Sequence, residues 1–145
     1  FMSPSQVRTQ MEEASMLLMT SNRIEGWGAV VNEAMNAGCV VVASHIIGSA
    51  PYLISHRENG MIFKAGDADS LTENVSEIID NNSYLKAMGK KAYSTIDKLW
   101  NAKTAVERLL EFCEHKKVDA YEEGPCSKAI PVREGKMYRK MIETR

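Results

Sequence analysis

The sequence predicts an α/β domain built on a parallel sheet with crossover helices, and three observations carry that prediction. First, two short apolar runs, Met16-Leu17-Leu18-Met19 and Cys39-Val40-Val41-Val42-Ala43, have the length and composition of buried strands. Second, the segment between them, Gly28 to Ala37, has helical spacing and is followed by Gly38 as its C′ residue. Third, the first run is preceded by another helical stretch, so helix, strand, loop, helix and strand alternate within about forty residues, as crossover units do.

Taken in order, Ser5 is the expected N-cap of a polar helix from Gln6 to about Ala14. The run 16–19 is expected to be buried on both faces. Thr20 to Arg23 is a polar loop, and the helix 28–37 and the strand 39–43 follow. Gly48 falls in the next loop, and Pro51 is placed to open a short helix through Ile54. Asn59-Gly60 signals a turn, and Met61-Ile62-Phe63 is short enough for an edge strand. Asp67 or Asp69 can cap a helix that carries Leu71, Val75, Ile78 and Ile79. A further helix runs from Ser83 towards Leu99. Another covers about Lys103 to Cys113, with Val106, Leu109, Leu110 and Cys113 on one stripe. From Lys116 the periodicity fades, Gly124-Pro125, Pro131 and Gly135 intervene, and the end is basic.

Composition narrows the classes of function. The 145 residues are 44% hydrophobic and 26% charged, the balance of a soluble globular domain. A net charge of −1 gives no overall pull towards nucleic acid or an anionic membrane. No apolar run approaches the roughly 18 residues of a membrane helix, and the first residues lack a signal peptide's pattern. Three widely spaced cysteines, 39, 113 and 126, argue against both a disulfide framework and a zinc site, and the reducing cytosol is the simplest compartment. Cys39 is expected in the core, and Cys126 is read as structural. His45 is expected to be a solvated loop residue, and His56 and His115 lie in polar surroundings. The isolated Phe1, followed at once by a helix-start signal, points to missing sequence on the N-terminal side.

Chemistry concentrates at Glu25-Gly26-Trp27-Gly28 and Glu33, two carboxylates separated by seven residues where a strand gives way to a helix. Open α/β sheets bind ligands at such junctions. The first amides of the helix lack intrahelical partners, and its dipole adds partial positive charge, so a phosphate can sit there. Gly26 and Gly28 let a ligand approach the backbone. Glu25 stands where it could accept from sugar hydroxyls. Glu33 shares helical spacing with Ala29, Val30 and Ala37, a stripe expected to face the sheet, where a carboxylate would need a partner such as the vicinal hydroxyls of a ribose. The alternative is an exposed loop acid and an ordinary acid near a helix start.

The ordered set Ser21 to Gly28, Asn32-Glu33-Ala34-Met35, Ala37-Gly38 and Val40 to Ser44 resembles the nucleotide-sugar-binding half of retaining glycosyltransferases of family 4, which have the GT-B fold. Ile47-Gly48-Ser49 with Pro51, and Asn59-Gly60 with its apolar triplet, extend the resemblance in order to about residue 113. It implies a Rossmann-like sheet in a GT-B C-terminal domain over residues 1–115. Residues 116–145 would be a C-terminal extension that packs on an N-terminal domain this sequence does not contain. It implies that Glu25 contacts the donor sugar as the catalytic acid of the pair, and that Glu33 binds the ribose. It puts Gly26 and the amides of Trp27 and Gly28 at sugar and diphosphate, and Val30 and Val31 at the nucleoside. The implied reaction moves a sugar from a nucleotide-diphosphate donor to a saccharide or lipid-linked acceptor with retention, as in polysaccharide biosynthesis. No metal or other cofactor is implied. The implied location is the cytoplasm, with peripheral contact at the membrane's inner face. The chain departs from the pattern at Trp27 (usually Phe), at Asn36 (commonly Ala) and at Ile46-Ile47-Gly48 (often Gly-Gly). It also lacks the basic pair that binds the diphosphate in this family. An isolated binding module without turnover, and a GT-B sugar-nucleotide epimerase, are the alternatives.

Overall fold

The computed structural model describes residues 1–21, 25–115, 121–128 and 142. Its elements are α1 (Pro4–Glu13), β1 (Met16–Met19), α2 (Ala29–Asn36), β2 (Val40–Ser44), α3 (Ala50–Leu53), β3 (Gly60–Phe63), α4 (Ala68–Ile79), α5 (Asn82–Lys98) and α6 (Ala102–His115). The three strands are all parallel in the order β1-β2-β3. Met16 pairs with Val40 and Met19 with Ala43, and Val41 pairs with Gly60 and Ser44 with Phe63.

The central strand explains the layering. Every residue of β2 is buried. Successive side chains of a strand point to opposite faces, so Val41 and Ala43 enter one apolar cluster while Val40 and Val42 enter another. The first cluster gathers Val31, Ala34 and Met35 of α2 with Ala92 and Ile96 of α5, and the second gathers Met61, Phe63, Ile78 and Met88. Helices therefore cover both faces, and an uninterrupted valine run is what such a strand requires. The expected Rossmann-like α/β class is the observed one.

Several local expectations need correction. Ser3, not Ser5, caps α1: its hydroxyl accepts from the Gln6 amide at 3.3 Å, while the Gln6 side chain accepts from the Ser3 amide at 2.7 Å. Pro4 fits the first helical position, where no amide proton is needed, and this sets the start two residues earlier. The run 16–19 is a strand but is not buried on both faces: Leu17 and Met19 pack on the first cluster, whereas Leu18, on the opposite face, is 47% exposed. β3 is an edge strand too, yet is wholly buried. Asp67 is the residue that caps α4, accepting from the Ser70 amide at 3.0 Å. In that helix Ile78 is buried and Ile79 is exposed.

Two histidines and an asparagine do structural work. His45 is buried, not solvated, and its Nδ1 accepts from the Ala65 amide at 3.0 Å. His56 Nδ1 accepts from the Ile62 amide at 3.0 Å. Burial first, and the neighbouring Arg57 second, push the His56 imidazole below its ordinary pKa, with Glu77 opposing. Asn59 is buried, accepts from the Ser55 amide and donates to the Leu53 carbonyl and the Thr95 hydroxyl, which joins the turn before β3 to α5. Cys39 is in the core as expected; its thiol donates to the carbonyls of Met11 and Ala14, and burial raises its pKa.

The α6 stripe faces the wrong way for a core. Val106, Leu109, Leu110 and Phe112 are all exposed, and so is Cys113. The opposite side of α6 carries Arg108, whose guanidinium donates to the carbonyls of Glu123 and Pro125 and lies over the Tyr121 ring at 4.0 Å. Tyr121 in turn donates to Glu111. Residues 121–128 are thus clasped against α6, while most of the expected C-terminal extension lies outside the described residues.

Candidate functional site

The site is built where β1 and β2 end. The loops that follow the two strands bind each other through the backbone: the Gly48 amide donates to the Gly26 carbonyl at 3.0 Å, and the Ser49 amide donates to the Trp27 carbonyl at 2.9 Å. Two glycines permit this. A Cβ on Gly48 would collide with the Gly26 carbonyl, and Gly28 has φ of 77° in the left-handed region, where a Cβ would also stand 2.8 Å from Ile47. Gly28 is the N-cap of α2 and offers no side chain, so the helix start is left to backbone groups. The Val31 amide donates to the Gly28 carbonyl at 2.9 Å. The open end of α2 therefore points its remaining first amides and its positive dipole end at the strand edge.

Below this junction lie Ser44 and Ser49, 1% and 0% exposed. Among the described residues their hydroxyl oxygens are the buried side-chain polar atoms without a hydrogen-bond partner. The Ser49 hydroxyl is 3.6 Å from where a Gly28 Cβ would stand. Unsatisfied buried hydroxyls are uncommon in native folds; that of Ser49 lies by the helix start, whereas Ser44 continues the alternation of Val40 and Val42 and belongs to the sheet face away from α2.

The site residues expected from the sequence divide by placement. Glu25 is half-buried, Gly26 and Trp27 are exposed, and Gly28 is buried in the junction. Glu33 is exposed on α2 and does not face the sheet. The buried face of α2 is Val31, Ala34 and Met35, spaced i, i+3, i+4. Glu33 is two positions from Val31, about 200° around the helix, so it lies on the far side. The expected stripe of Ala29, Val30, Glu33 and Ala37 was rotated from the real one, and Glu33 needs no partner to offset burial. Val31 is wholly buried in the core and so is not a ligand-facing wall; Val30, half-buried at the core's margin, keeps that possibility.

An aromatic cluster stands beside the junction, unannounced by any motif. The Trp27 ring lies 5.5 Å from Tyr52 and 5.7 Å from Trp100 between centroids, and Tyr52 and Trp100 stand 6.0 Å apart, edge to face. The Trp27 indole nitrogen donates to the Asn32 side chain at 2.8 Å. These residues come from a loop, from α3 and from the α5–α6 connection, so no spacing in the chain could have announced them. Among the described residues, no three of His, Cys, Asp and Glu are grouped to hold a metal.

The profile of the family described as glycosyl transferases group 1 matches residues 1–95. The chain belongs to that family. The C-terminal domain of a group 1 glycosyl transferase, LpcC from Francisella tularensis, superimposes with a TM-score of 0.61 at 18% identity, covering 67% of this chain and 49% of that one. Anabaena HepE, solved in complex with UDP, gives a TM-score of 0.64 at 24% identity over 72% of this chain and 29% of its own. An exopolysaccharide phosphotransferase of Streptomyces coelicolor is 31% identical over 93 residues, which are 63% of this chain and 10% of that protein. The chain thus spans half or less of each of these relatives. The solved structures show the fold, a group 1 glycosyltransferase domain of GT-B type. The described elements place Glu25, Gly26, Gly28 and Gly48 in the loops that follow the C-terminal ends of β1 and β2, the usual ligand side of such sheets, while Glu33 lies on the outer side of α2.

Proposed function

We propose that this chain is the donor-binding part of a retaining, family 4-type glycosyltransferase that transfers a sugar from a nucleotide-diphosphate sugar to a saccharide or lipid-linked acceptor. The observation that carries the reading is the glycine-lined start of α2, with Glu25 before it and Glu33 exposed on its outer side. The diphosphate lies against the α2 amides near Gly26, Trp27 and Gly28, where the dipole favours negative charge. Glu25 acts at the donor sugar. Glu33 accepts from the ribose hydroxyls, and because it is exposed it is available without a buried-charge penalty. Val30 packs beside the nucleoside. In the transfer, the bond from the anomeric carbon to the diphosphate oxygen breaks, and its electron pair leaves with the nucleotide. A bond from the same carbon to the acceptor oxygen forms on the same face, and the acceptor proton passes to the departing phosphate. No metal is required in this scheme, because amides and a helix end balance the charge. HepE has also been solved with UDP and glucose together, which is the pairing of ligands the proposal needs at this site.

The phosphotransferase relative shares only a tenth of its length with this chain, so its named activity does not supply a competing reading. By itself the chain is expected to bind donor without turnover. Calorimetry with UDP-glucose tests the assignment: Glu33→Ala should weaken binding by roughly tenfold, the worth of about one hydrogen bond to a charged group. Unchanged affinity would remove Glu33 from the ribose. Addition of EDTA should leave the wild-type affinity as it was.

A further inference from the structure

We propose that the exposed face of the Trp27 indole is a stacking platform for a pyranose ring. The inference deepens the proposed function and rests on it for the identity of the neighbouring donor site. Trp27 is 41% exposed although it belongs to a cluster of three aromatic rings. A tryptophan used only as filler is usually well covered. Here Tyr52 and Trp100 stand tilted against the ring at 5.5 and 5.7 Å between centroids, and 41% of the residue meets solvent.

The ring is also held in a fixed pose. Asn32 takes the indole N–H, so that edge needs no water, and the Trp27 carbonyl is held by the Ser49 amide. Asn32 precedes Glu33 on α2, which ties the ring's orientation to the helix that carries the ribose-binding acid. The cluster lies to the side of the strand edge, over α3 and the α5–α6 connection. A flat, rigid, electron-rich surface of this kind complements the C–H face of a sugar ring, whose hydrogens carry partial positive charge. Its rigidity lowers the ordering cost of binding. An anion or a peptide strand would find neither positive charge nor a free sheet edge in the ring itself.

Two sources of a pyranose are distinguishable: the donor sugar and a free saccharide acceptor. Both tryptophans of the chain lie in this cluster, so indole fluorescence of the 145-residue protein reads it alone. The protein is titrated with UDP, with UDP-glucose and with cellobiose, by fluorescence and by calorimetry. Trp27→Ala should lower the sugar-dependent part of affinity by about two- to tenfold, the range of one aromatic stacking contact, with UDP titrated into the same variant as the reference. Loss of the difference between UDP-glucose and UDP assigns the donor sugar, and loss of cellobiose binding assigns a free saccharide; either supports the platform. Trp27→Leu, which keeps apolar packing on Tyr52 and Trp100, should show the same loss and separates stacking from folding. Retention of the sugar-dependent affinity in both variants overturns the proposal, as does a wild-type chain whose binding has no sugar-dependent part. In the wild-type chain, UDP bound with no sugar effect sinks the platform alone, whereas sugar bound without UDP sinks the donor site alone.

Discussion

Two helices of this chain have similar amphipathic spacing and opposite fates. In α2, Val31, Ala34 and Met35 are each 0% exposed and pack on the sheet. In α6, Val106, Leu109 and Leu110 follow the same kind of spacing and are each more than half exposed. Periodicity tells which residues share a face, but only the neighbouring elements decide whether that face is covered. α2 is bracketed by β1 and β2 in a crossover, which presses one side of it onto the sheet. α6 leaves α5 at Trp100 and uses its polar side, through Arg108, Tyr121 and Glu111, to bind the chain that follows.

The largest effect that could break this contrast is a truncation in α2. Met35→Ala removes a fully buried side chain between sheet and α5 and should cost about 2–5 kcal/mol, because transfer and cavity terms add. Urea unfolding followed by far-UV circular dichroism measures it. A cost under about 1 kcal/mol would mean that this core collapses around the gap, and that burial in α2 differs less from exposure in α6 than the areas indicate.

The same distinction marks what was legible in the chain. The sheet half could be read because its signals are local: Val40-Val41-Val42 admits only a strand covered on both faces, and Gly38 stops a helix. The residues proposed to bind the donor were legible only through a resemblance, since Glu25 and Glu33 are ordinary acids by composition. Three matters were not readable. The rotation of α2 turned on one residue's choice, because Val30 and Val31 are adjacent apolar residues and spacing accepts either as the inward one. The exposure of Leu18 depends on which sheet face the helices cover at β1, which no property of Met16 to Met19 encodes. The roles of His45 and His56 depend on backbone amides of β3 and the loop after it, brought close only by the fold.

A smaller effect sharpens the comparison for polar groups. The His56 ring accepts from the Ile62 amide within the sheet half, while α6 holds its partners at the surface. The folded protein lowers the His56 pKa, so the unfolded chain binds the proton more readily. Stability from this group is fully present above the ordinary histidine pKa of about 6.5 and declines as pH falls below it towards the folded value. Protonation at Nδ1 also ends its capacity to accept from Ile62. The urea midpoint should therefore drop between pH 7.5 and pH 5.5, and His56→Gln, which offers a carbonyl acceptor without a proton to gain, should flatten that slope. An unchanged slope in the variant would assign the acid sensitivity elsewhere.

The smallest expected effect is the most informative about α6. Leu109→Ser and Leu110→Ser remove side chains that are 54% and 57% exposed in the chain as described. Each should change stability by no more than about 0.5 kcal/mol, the usual range for surface positions away from special features. Serine lowers helix propensity slightly, which works against the substitution, while relief of exposed apolar surface favours solubility. The two contributions leave the urea midpoint nearly still, and the difference from Met35→Ala becomes the measured form of the contrast between the two helices. If Leu110→Ser instead costs as much as Met35→Ala, the α6 stripe is covered in solution, and the length of chain beyond Lys128 or a second molecule is what covers it. Repeating the measurement over a hundredfold range of protein concentration separates these, because only cover by a second molecule makes the midpoint concentration-dependent.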